Sequence, residues 1–519
     1  MHIAFLNLHG NFDPEDRYWT AHPDFGGQLV YVKEVTLALG RMGHSVDILT
    51  RRIRDPQWPG FESDIDAYPG APNVRIVRIP CGGDAFLPKT ELWPFIGTEW
   101  VPNIIDFYER EGRQPDVGTS HYADAGLAAA LWRPQGGPRY TFTGHSLGAQ
   151  KLERLLILNH TNLAKLDSEF FFARRISAEQ IAINHADSVI TSTTQERTSQ
   201  YGHPAYQGAI DTGDTRRFNV IPPGVNLEIF DANVYGPDDE RVAAELEHVL
   251  TRDIDQGRRH LPLIICSSRL DRKKNHIGLV QAFAQSPALQ KAANLLVVVR
   301  GATDLRHVTV LDDEEQQILN EIVAICDDAE IWGKIGGCSL ESQTELAAAY
   351  RHLAKRKSVF ALTALYEPFG LAPLEAMVAG LPACVTRCGG PSESLRDGHT
   401  NTDYGVLVDP ADPDDIALGL LRLVKGDSQW EHFHKMGRER VLSRYTWDAT
   451  ARNYLDTLDF VLHNEPLEHN RSPIPNFFYD PRPENDIGST TLEQIFAPTM
   501  LGRGEPQGSG WGVGSGFER

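Results

Sequence analysis

Residues 263–276 read LIICSSRLDRKKNH, an apolar strand-like run from Leu263 to Cys266 that stops at a loop dense in Arg and Lys. Runs of the same kind follow at Leu295 to Val299, Ile331 to Trp332, Val359 to Leu362 and Ala383 to Thr386, with longer helical patterns between them. An earlier series precedes them at Ile3 to Leu6, Ser45 to Thr50, Val74 to Ile79, Tyr140 to Thr143 and Val189 to Thr193. Short strands alternating with helices are the signature of parallel α/β layers. Between the two series VIPPGVN, residues 220–226, ends both helix and strand with Pro-Pro-Gly. The expectation is an α/β protein of two doubly wound, Rossmann-like domains facing each other across a cleft, residues 1–222 and 223–447. Ligands would sit beyond the carboxyl ends of the strands. Residues 448–462 read as one more amphipathic helix, and 463–519 as an extended, partly disordered tail, because 502–519 is glycine-rich.

With 519 residues the chain is long enough for two large cores. A net charge of −20 argues against nucleic acid or an anionic membrane as partner, so any phosphate site must be a local basic exception. Six cysteines without CxxC spacing fit a reducing cytoplasm. Neither a signal peptide nor a long apolar span is read in the chain, which predicts a cytoplasmic protein.

Four loops supply the chemistry. In YEPFGLAPLEAMVAG, residues 366–380, Glu367 and Glu375 flank a loop that enters a helix with Gly370 at its mouth. Unpaired N–H groups and the positive dipole end there suit polyol and phosphate oxygens, and the carboxylates can grip hydroxyls. Arg269 and Lys274 stand five apart on the loop after Cys266, placed to converge on a diphosphate. In HPDFGGQLVYV, Gly26 and Gly27 allow close backbone approach, with Gln28 at the helix entry. Gly144-His145-Ser146-Leu147-Gly148 matches the G-x-S-x-G elbow of α/β-hydrolases. A serine hydrolase on that elbow is a distant alternative, since His185 and Asp187 follow in the wrong order. His145, at the end of a strand, suits a sugar-hydroxyl contact better.

Together FDPEDRYWTAHPDFGGQLVYVKEV, TFTGHSLGAQK, SSRLDRKKNH and YEPFGLAPLEAMVAG resemble the retaining family 4 glycosyltransferases of the GT-B fold, and within them the sucrose-phosphate synthase group. The resemblance implies that residues 1–222 bind the acceptor, that 223–447 bind the nucleotide sugar, and that 448–462 cross back to the first domain. It implies that Glu367 and the backbone of Phe369, Gly370 and Leu371 hold the donor hexose, that Glu375 binds the ribose, and that Arg269 and Lys274 clamp the diphosphate. His145 would contact the donor sugar. Gly27 and Gln28 would lie between donor and acceptor, and Lys89, Tyr122, Lys151 and Arg175 would receive fructose 6-phosphate.

Glu367 and Glu375 would be ~12 Å apart in a continuous helix. The acid and nucleophile of a retaining glycosidase stand about 5 to 5.5 Å apart. The expected route is therefore front-face substitution with retention, transferring glucose from UDP-glucose to the 2-hydroxyl of fructose 6-phosphate. No cofactor or metal site is expected: the sugar nucleotide is a co-substrate and magnesium at most a stimulant. A separate sugar-phosphate phosphatase would act on the product.

One departure concerns the donor. The resemblance assigns WGKIGGCSLESQTE, residues 332–345, to the loop against the nucleobase, and Gly336, Gly337 and Cys338 replace bulkier residues there. The roomier pocket keeps a mannosylfructose-phosphate synthase using GDP-mannose as the alternative. A non-catalytic sugar-phosphate binding protein is the third class, disfavoured by the joint presence of Glu367, Arg269, Lys274 and His145.

Overall fold

The computed structural model describes residues 1–18, 21–159, 162–301, 304–308, 310–467 and 469–501. Two compact units emerge. The first comprises Met1–Pro222 with residues 450–501, and the second Pro223–Ala449.

Strands of the first unit are β1 (His2–Leu6), β2 (Ser45–Arg51), β3 (Ile65–Ala67), β4 (Val74–Ile79), β5 (Val117–His121), β6 (Tyr140–Thr143), β7 (Ser188–Thr191) and β8 (Phe218–Val220), in the order β3-β4-β2-β1-β5-β6-β7-β8. All pairs are parallel except β3 with β4. In the second unit β9 (Leu263–Cys266), β10 (Asn294–Val298), β11 (Ile335–Cys338), β12 (Val359–Leu362), β13 (Ala383–Thr386) and β16 (Val406–Val408) form a parallel sheet in the order β11-β10-β9-β12-β13-β16. A small antiparallel pair, β14 (Arg396–Asp397) and β15 (Thr402–Asp403), stands apart from it.

The central strands are buried on both faces: Ile3, Ala4 and Phe5 in β1 and Ile264, Ile265 and Cys266 in β9 have no exposed surface. Each sheet therefore needs helices on both sides. In each, the winding direction reverses at one point, between β1 and β5 in the first unit and between β9 and β12 in the second. Chain crossovers diverge there and leave a crevice beyond the strand ends, which is where ligands bind in open α/β sheets.

Residues 469–496 differ from the expected extended tail. Phe477 and Phe478 are buried against the first unit, His469 and Ser472 bond Asn184, and Arg174 pairs with Asp486 at 2.9 Å. A Cβ on Gly97 would come 2.0 Å from Phe478 O, so only glycine admits this segment. Apolar Ile474, Phe477 and Phe478 supply the burial that the glycine-rich composition further on conceals. Residues 502–519 lie outside the described residues.

Among the described residues no helix is long and apolar enough to cross a membrane.

Candidate active site

At the switch point of the second unit, the loop after β9 carries Arg269 and Lys274, and the loop after β12 carries Glu367. Lys274 Nζ donates to Glu367 Oε2 at 2.7 Å. Asn275, in the left-handed region at φ 56°, caps the helix His276–Gln285 with its Oδ1 and donates from Nδ2 to the carbonyls of Thr363 and Pro410. One side chain thus ties the cation-bearing loop to the end of β12 and fixes where Lys274 points. Arg269 is exposed and makes no ion pair among the described residues.

Glu367 is held by backbone. Its N–H donates to Cys388 O at 3.0 Å, and its carbonyl accepts from Gly390 N at 2.9 Å. A Cβ on Gly389 would come 2.0 Å from Glu367 O, and one on Gly390 would come 2.6 Å from Phe369 Cα. The glycine pair is required by this close approach. Gly370 (φ 91°) then turns the chain into the helix Leu371–Val378, whose first N–H groups carry no side-chain cap.

Glu375, one turn on, receives no hydrogen bond on its carboxylate among the described residues, and burial pushes its pKa up to about 7. In unfolded chain it titrates near 4.5, so between those values the folded state binds more protons than the unfolded, and stability falls as pH rises. The full penalty above pH 7 is on the order of 3 kcal/mol. Glu375→Gln is expected to flatten that slope in thermal melts between pH 5 and 8. Two hydroxyls donating to Glu375 would favour its ionised form, so a nucleoside diphosphate binding there at pH 7 should release a fraction of a proton. Calorimetry in buffers of different ionisation enthalpy measures this, and Glu375→Gln should abolish the release.

At the switch point of the first unit, Asn7 follows β1, Tyr122 follows β5, and Gln28 lies in the first turn of the helix Gly27–Arg41. Asn7 Nδ2 donates to His9 O at 2.8 Å, so its Oδ1 accepts from Gln28 Nε2 at 2.6 Å. That leaves the Gln28 carbonyl oxygen to accept from a ligand. Gly27 is open: a Cβ added there would meet nothing within 4 Å.

Tyr122 and His145, just past β5 and β6, have φ 74° and 57°, a costly backbone for such residues and one that gathers at functional sites. Lys89 Nζ lies 5.5 Å and Arg175 Cζ 4.6 Å from the Tyr122 ring centroid. Lys151 Nζ is 5.7 Å from the Phe170 ring, and these four predicted residues line one pocket with Phe170 and Trp93. Among the described residues, Lys89 and Arg175 meet carboxylates. Lys89 pairs with buried Asp24 at 3.1 Å, and although burial works against the Asp24 carboxylate, Lys89 and His9 hold its pKa below the usual value. Arg175 pairs at 2.9 Å with Glu179, which has no exposed surface and also accepts from Gly148 N and the Tyr206 hydroxyl.

Several expectations need correction. Among the described residues Ser146 has no acid-base partner: its hydroxyl meets Arg175, while His185 bonds Ser472 O and Asp187 is clamped by Arg133 and Arg139. The elbow's helix start is filled by Glu179, and the left-handed residue is His145. This is no hydrolase triad. The run Gly336-Gly337-Cys338 is the buried edge strand β11 rather than a loop. Side chains at the glycine positions would be crowded, since a Cβ on Gly337 would meet Leu305 Cγ at 2.5 Å and one on Gly336 would meet Asp253 Oδ2 at 3.0 Å, while both glycines line a cavity of about 310 Å³ with Asp253 and Leu305. Ile331 and Trp332, expected in a strand, precede it.

His121, Asn7, Glu179 and Asn275 escaped the reading of spacings and motifs. Only the run VGTSH ending at His121 carried a signal, a strand too poor in large apolar residues to stand out.

Comparison with known proteins places this geometry. Residues 26–203 match the family described as glycosyl transferase 4-like domain, and residues 253–440 match glycosyl transferases group 1. A probable sucrose-phosphate synthase of Thermosipho melanesiensis is 40% identical over 459 residues, covering 88% of this chain and 96% of that one. Sucrose-phosphate synthase 4 of Arabidopsis thaliana is 30% identical over 522 residues, covering 90% of this chain and 48% of its own length. The chain thus spans about half of the plant relatives it matches. Among solved structures, the sucrose-phosphate synthase of Thermosynechococcus elongatus aligns at TM-score 0.59 and 23% identity, covering 88% and 98% of the two chains. The catalytic domain of starch synthase IV from Arabidopsis thaliana aligns at 0.56 and 15%, covering 89% and 99%. These likenesses establish the α/β glycosyltransferase fold of GT-B type.

Proposed function

This chain belongs to the sucrose-phosphate synthase family of group 1 glycosyltransferases, and from that membership we propose that it transfers glucose from UDP-glucose to the 2-hydroxyl of fructose 6-phosphate, giving sucrose 6-phosphate with retained anomeric configuration. The observation that carries the acceptor is the pocket of Lys89, Tyr122, Lys151 and Arg175 in an otherwise acidic protein. A free ketose would not require cations there, whereas a sugar phosphate would.

On the donor side, the open first turn of Leu371–Val378 with Glu367 takes hexose hydroxyls, Glu375 takes the ribose, and Arg269 with Lys274 takes the diphosphate. The bond from the anomeric carbon to the diphosphate oxygen breaks as the bond to the acceptor 2-oxygen forms on the same face. The acceptor proton passes to the departing phosphate oxygen. Charge that builds on that oxygen is stabilised by Arg269 and Lys274, cations already in place before the reaction. His145, whose burial and proximity to His9 hold its pKa near 3, stays neutral and serves as a hydrogen-bond partner of the donor sugar rather than a proton carrier. Gly27 and Gln28 would contribute backbone and a carbonyl acceptor between the two sugars.

The product would leave phosphorylated, for a separate sugar-phosphate phosphatase in the same cytoplasmic compartment. Neither nucleic acid nor membrane enters this reading.

A panel of UDP-glucose, ADP-glucose and GDP-mannose, each offered with fructose and with fructose 6-phosphate and followed by nucleotide release, tests it. UDP-glucose with fructose 6-phosphate should exceed every other pair by at least about tenfold, the factor that 1.4 kcal/mol of discrimination gives, and a chelator should leave most of that turnover. Preference for free fructose would remove the acceptor assignment. Complete loss in chelator, restored by magnesium, would mean that a metal supplies the charge assigned to Arg269 and Lys274.

A further inference from the structure

Beneath His145 lies a second histidine that the reaction scheme leaves unused. His121, at the end of β5, has no exposed surface, and its Nδ1 stands 2.9 Å from His145 Nε2. A single proton can lie between these two nitrogens, so one ring donates and the other accepts. The second nitrogen of His121 decides which. His121 Nε2 is buried and has no hydrogen-bond partner among the described residues, in a setting where Phe5 stacks on the ring at 5.3 Å and Tyr31 lies at 6.0 Å.

Were His121 protonated on Nε2, an N–H donor would be orphaned in the core. Protonation on Nδ1 leaves only a lone pair unsatisfied, the less costly defect. His145 must then accept at Nε2 and carry its own proton on Nδ1, a nitrogen with no protein partner among the described residues. Burial lowers the pKa of both rings, helped by their mutual proximity and by His9, so a doubly protonated pair is not reached near neutral pH. The Tyr31 ring meets His145 edge-on at 5.1 Å, and Tyr31 in turn bonds Tyr454, whose hydroxyl reaches Thr143 at the end of β6. This packing holds the His145 ring plane while the left-handed backbone at φ 57° aims it outward from the strand end.

We infer that His121 is a positioning residue for sugar transfer: by donating from Nδ1 to His145 Nε2 it fixes His145 as the tautomer that presents Nδ1–H to a hydroxyl oxygen of the donor hexose. The inference rests on the reading of His145 as a donor-sugar contact. It specifies the polarity of that contact: the sugar oxygen accepts, and a hexose derivative that can only donate at that position is disfavoured.

The test has two arms. In the intact chain labelled with ¹⁵N-histidine, with His145→Gln used to assign the signals, the Nδ1 of His145 should show the shift of a protonated nitrogen and Nε2 that of a bare one. The opposite pattern overturns the inference whatever the substrate proves to be. In the second arm His121→Phe keeps the ring stack but removes the donor. Its kcat should fall about 10- to 100-fold, as for other groups that orient a functional histidine, with the acceptor KM and the melting temperature little changed. His121→Asn, whose amide can donate from the position of Nδ1, should recover much of the loss. Full kcat in His121→Phe overturns the inference, and so does an equal loss in both variants. If His121→Phe does not fold, the ¹⁵N pattern of the unmodified chain decides. Absence of transfer by the unmodified chain with every sugar nucleotide would instead overturn the reading of the function and leave the tautomer result standing.

Discussion

Lys274→Ala should lower kcat by about 10³-fold while the KM for fructose 6-phosphate stays within a few-fold. In the proposed transfer the leaving diphosphate would gain charge as the bond to the donor sugar lengthens, and a fixed cation there would stabilise that charge more than it stabilises the ground state. Lys274 is held in position twice, by Asn275 anchored on Thr363 O and Pro410 O and by its own ion pair to Glu367 at 2.7 Å. The substitution therefore removes a cation and also strips Glu367 of its partner. Lys274→Met with Glu367→Gln separates the two effects. If Glu367 mainly holds the lysine, the double variant should be no worse than Lys274→Met alone, and if it grips a sugar hydroxyl independently, the losses should multiply. Arg269→Ala, on the same loop but exposed and unpaired among the described residues, should cost about 10²- to 10³-fold with less effect on the remaining site. The residues proposed for the acceptor belong to the other unit of the chain, which is why acceptor KM is the control. A kcat within tenfold of the parent for both single variants would remove the diphosphate clamp from the mechanism.

The legible parts of this chain were those where chemistry coincides with a change of pattern. Leu263 to Cys266 is an unbroken apolar run, and its abrupt end in charged residues marked both the strand and the loop that carries Arg269 and Lys274. Gly370 announced a helix start correctly, because a left-handed residue must precede Leu371. Where apolar content and strand formation part company, pattern reading went wrong. β11 is Ile-Gly-Gly-Cys, a composition that strands avoid, yet it pairs in parallel with β10, with Leu305 and Asp253 against its glycines. β5, Val-Gly-Thr-Ser-His, was missed for the same reason, and with it His121. Partners distant in sequence leave no local trace at all. Glu179 meets Gly148, Arg175 and Tyr206, and nothing in the run ISAEQIAIN distinguishes this glutamate from an exposed one. The cations of the first unit were named from sequence, but Asp24 beside Lys89 and Glu179 beside Arg175 were not, and they bear on what a phosphate would meet.

Arg175→Ala is accordingly expected to act on stability as strongly as on binding. Glu179 is fully buried, receives Gly148 N on both oxygens at 2.9 Å, and has Arg175 as its cation, also at 2.9 Å. Removing one partner of a buried ion pair leaves an uncompensated charge and costs about 3 to 5 kcal/mol. The melting transition should fall accordingly. Glu179→Gln added to Arg175→Ala removes that charge while keeping a carbonyl acceptor for Gly148 N, so most of the stability should return. Acceptor recognition should not return with it. Arg175 also reaches Ser146 and stacks on Tyr122, and its loss takes one of the three cations from the pocket. In the stabilised double variant, the preference for fructose 6-phosphate over fructose should remain at least tenfold below that of the parent, the factor that 1.4 kcal/mol of lost phosphate interaction gives. Full recovery of both stability and preference would assign Arg175 to the core alone and leave Lys89 and Lys151 to hold the phosphate. Recovery of neither would show that Glu179 is needed as an anion, with the helix start at Gly148 depending on its charge.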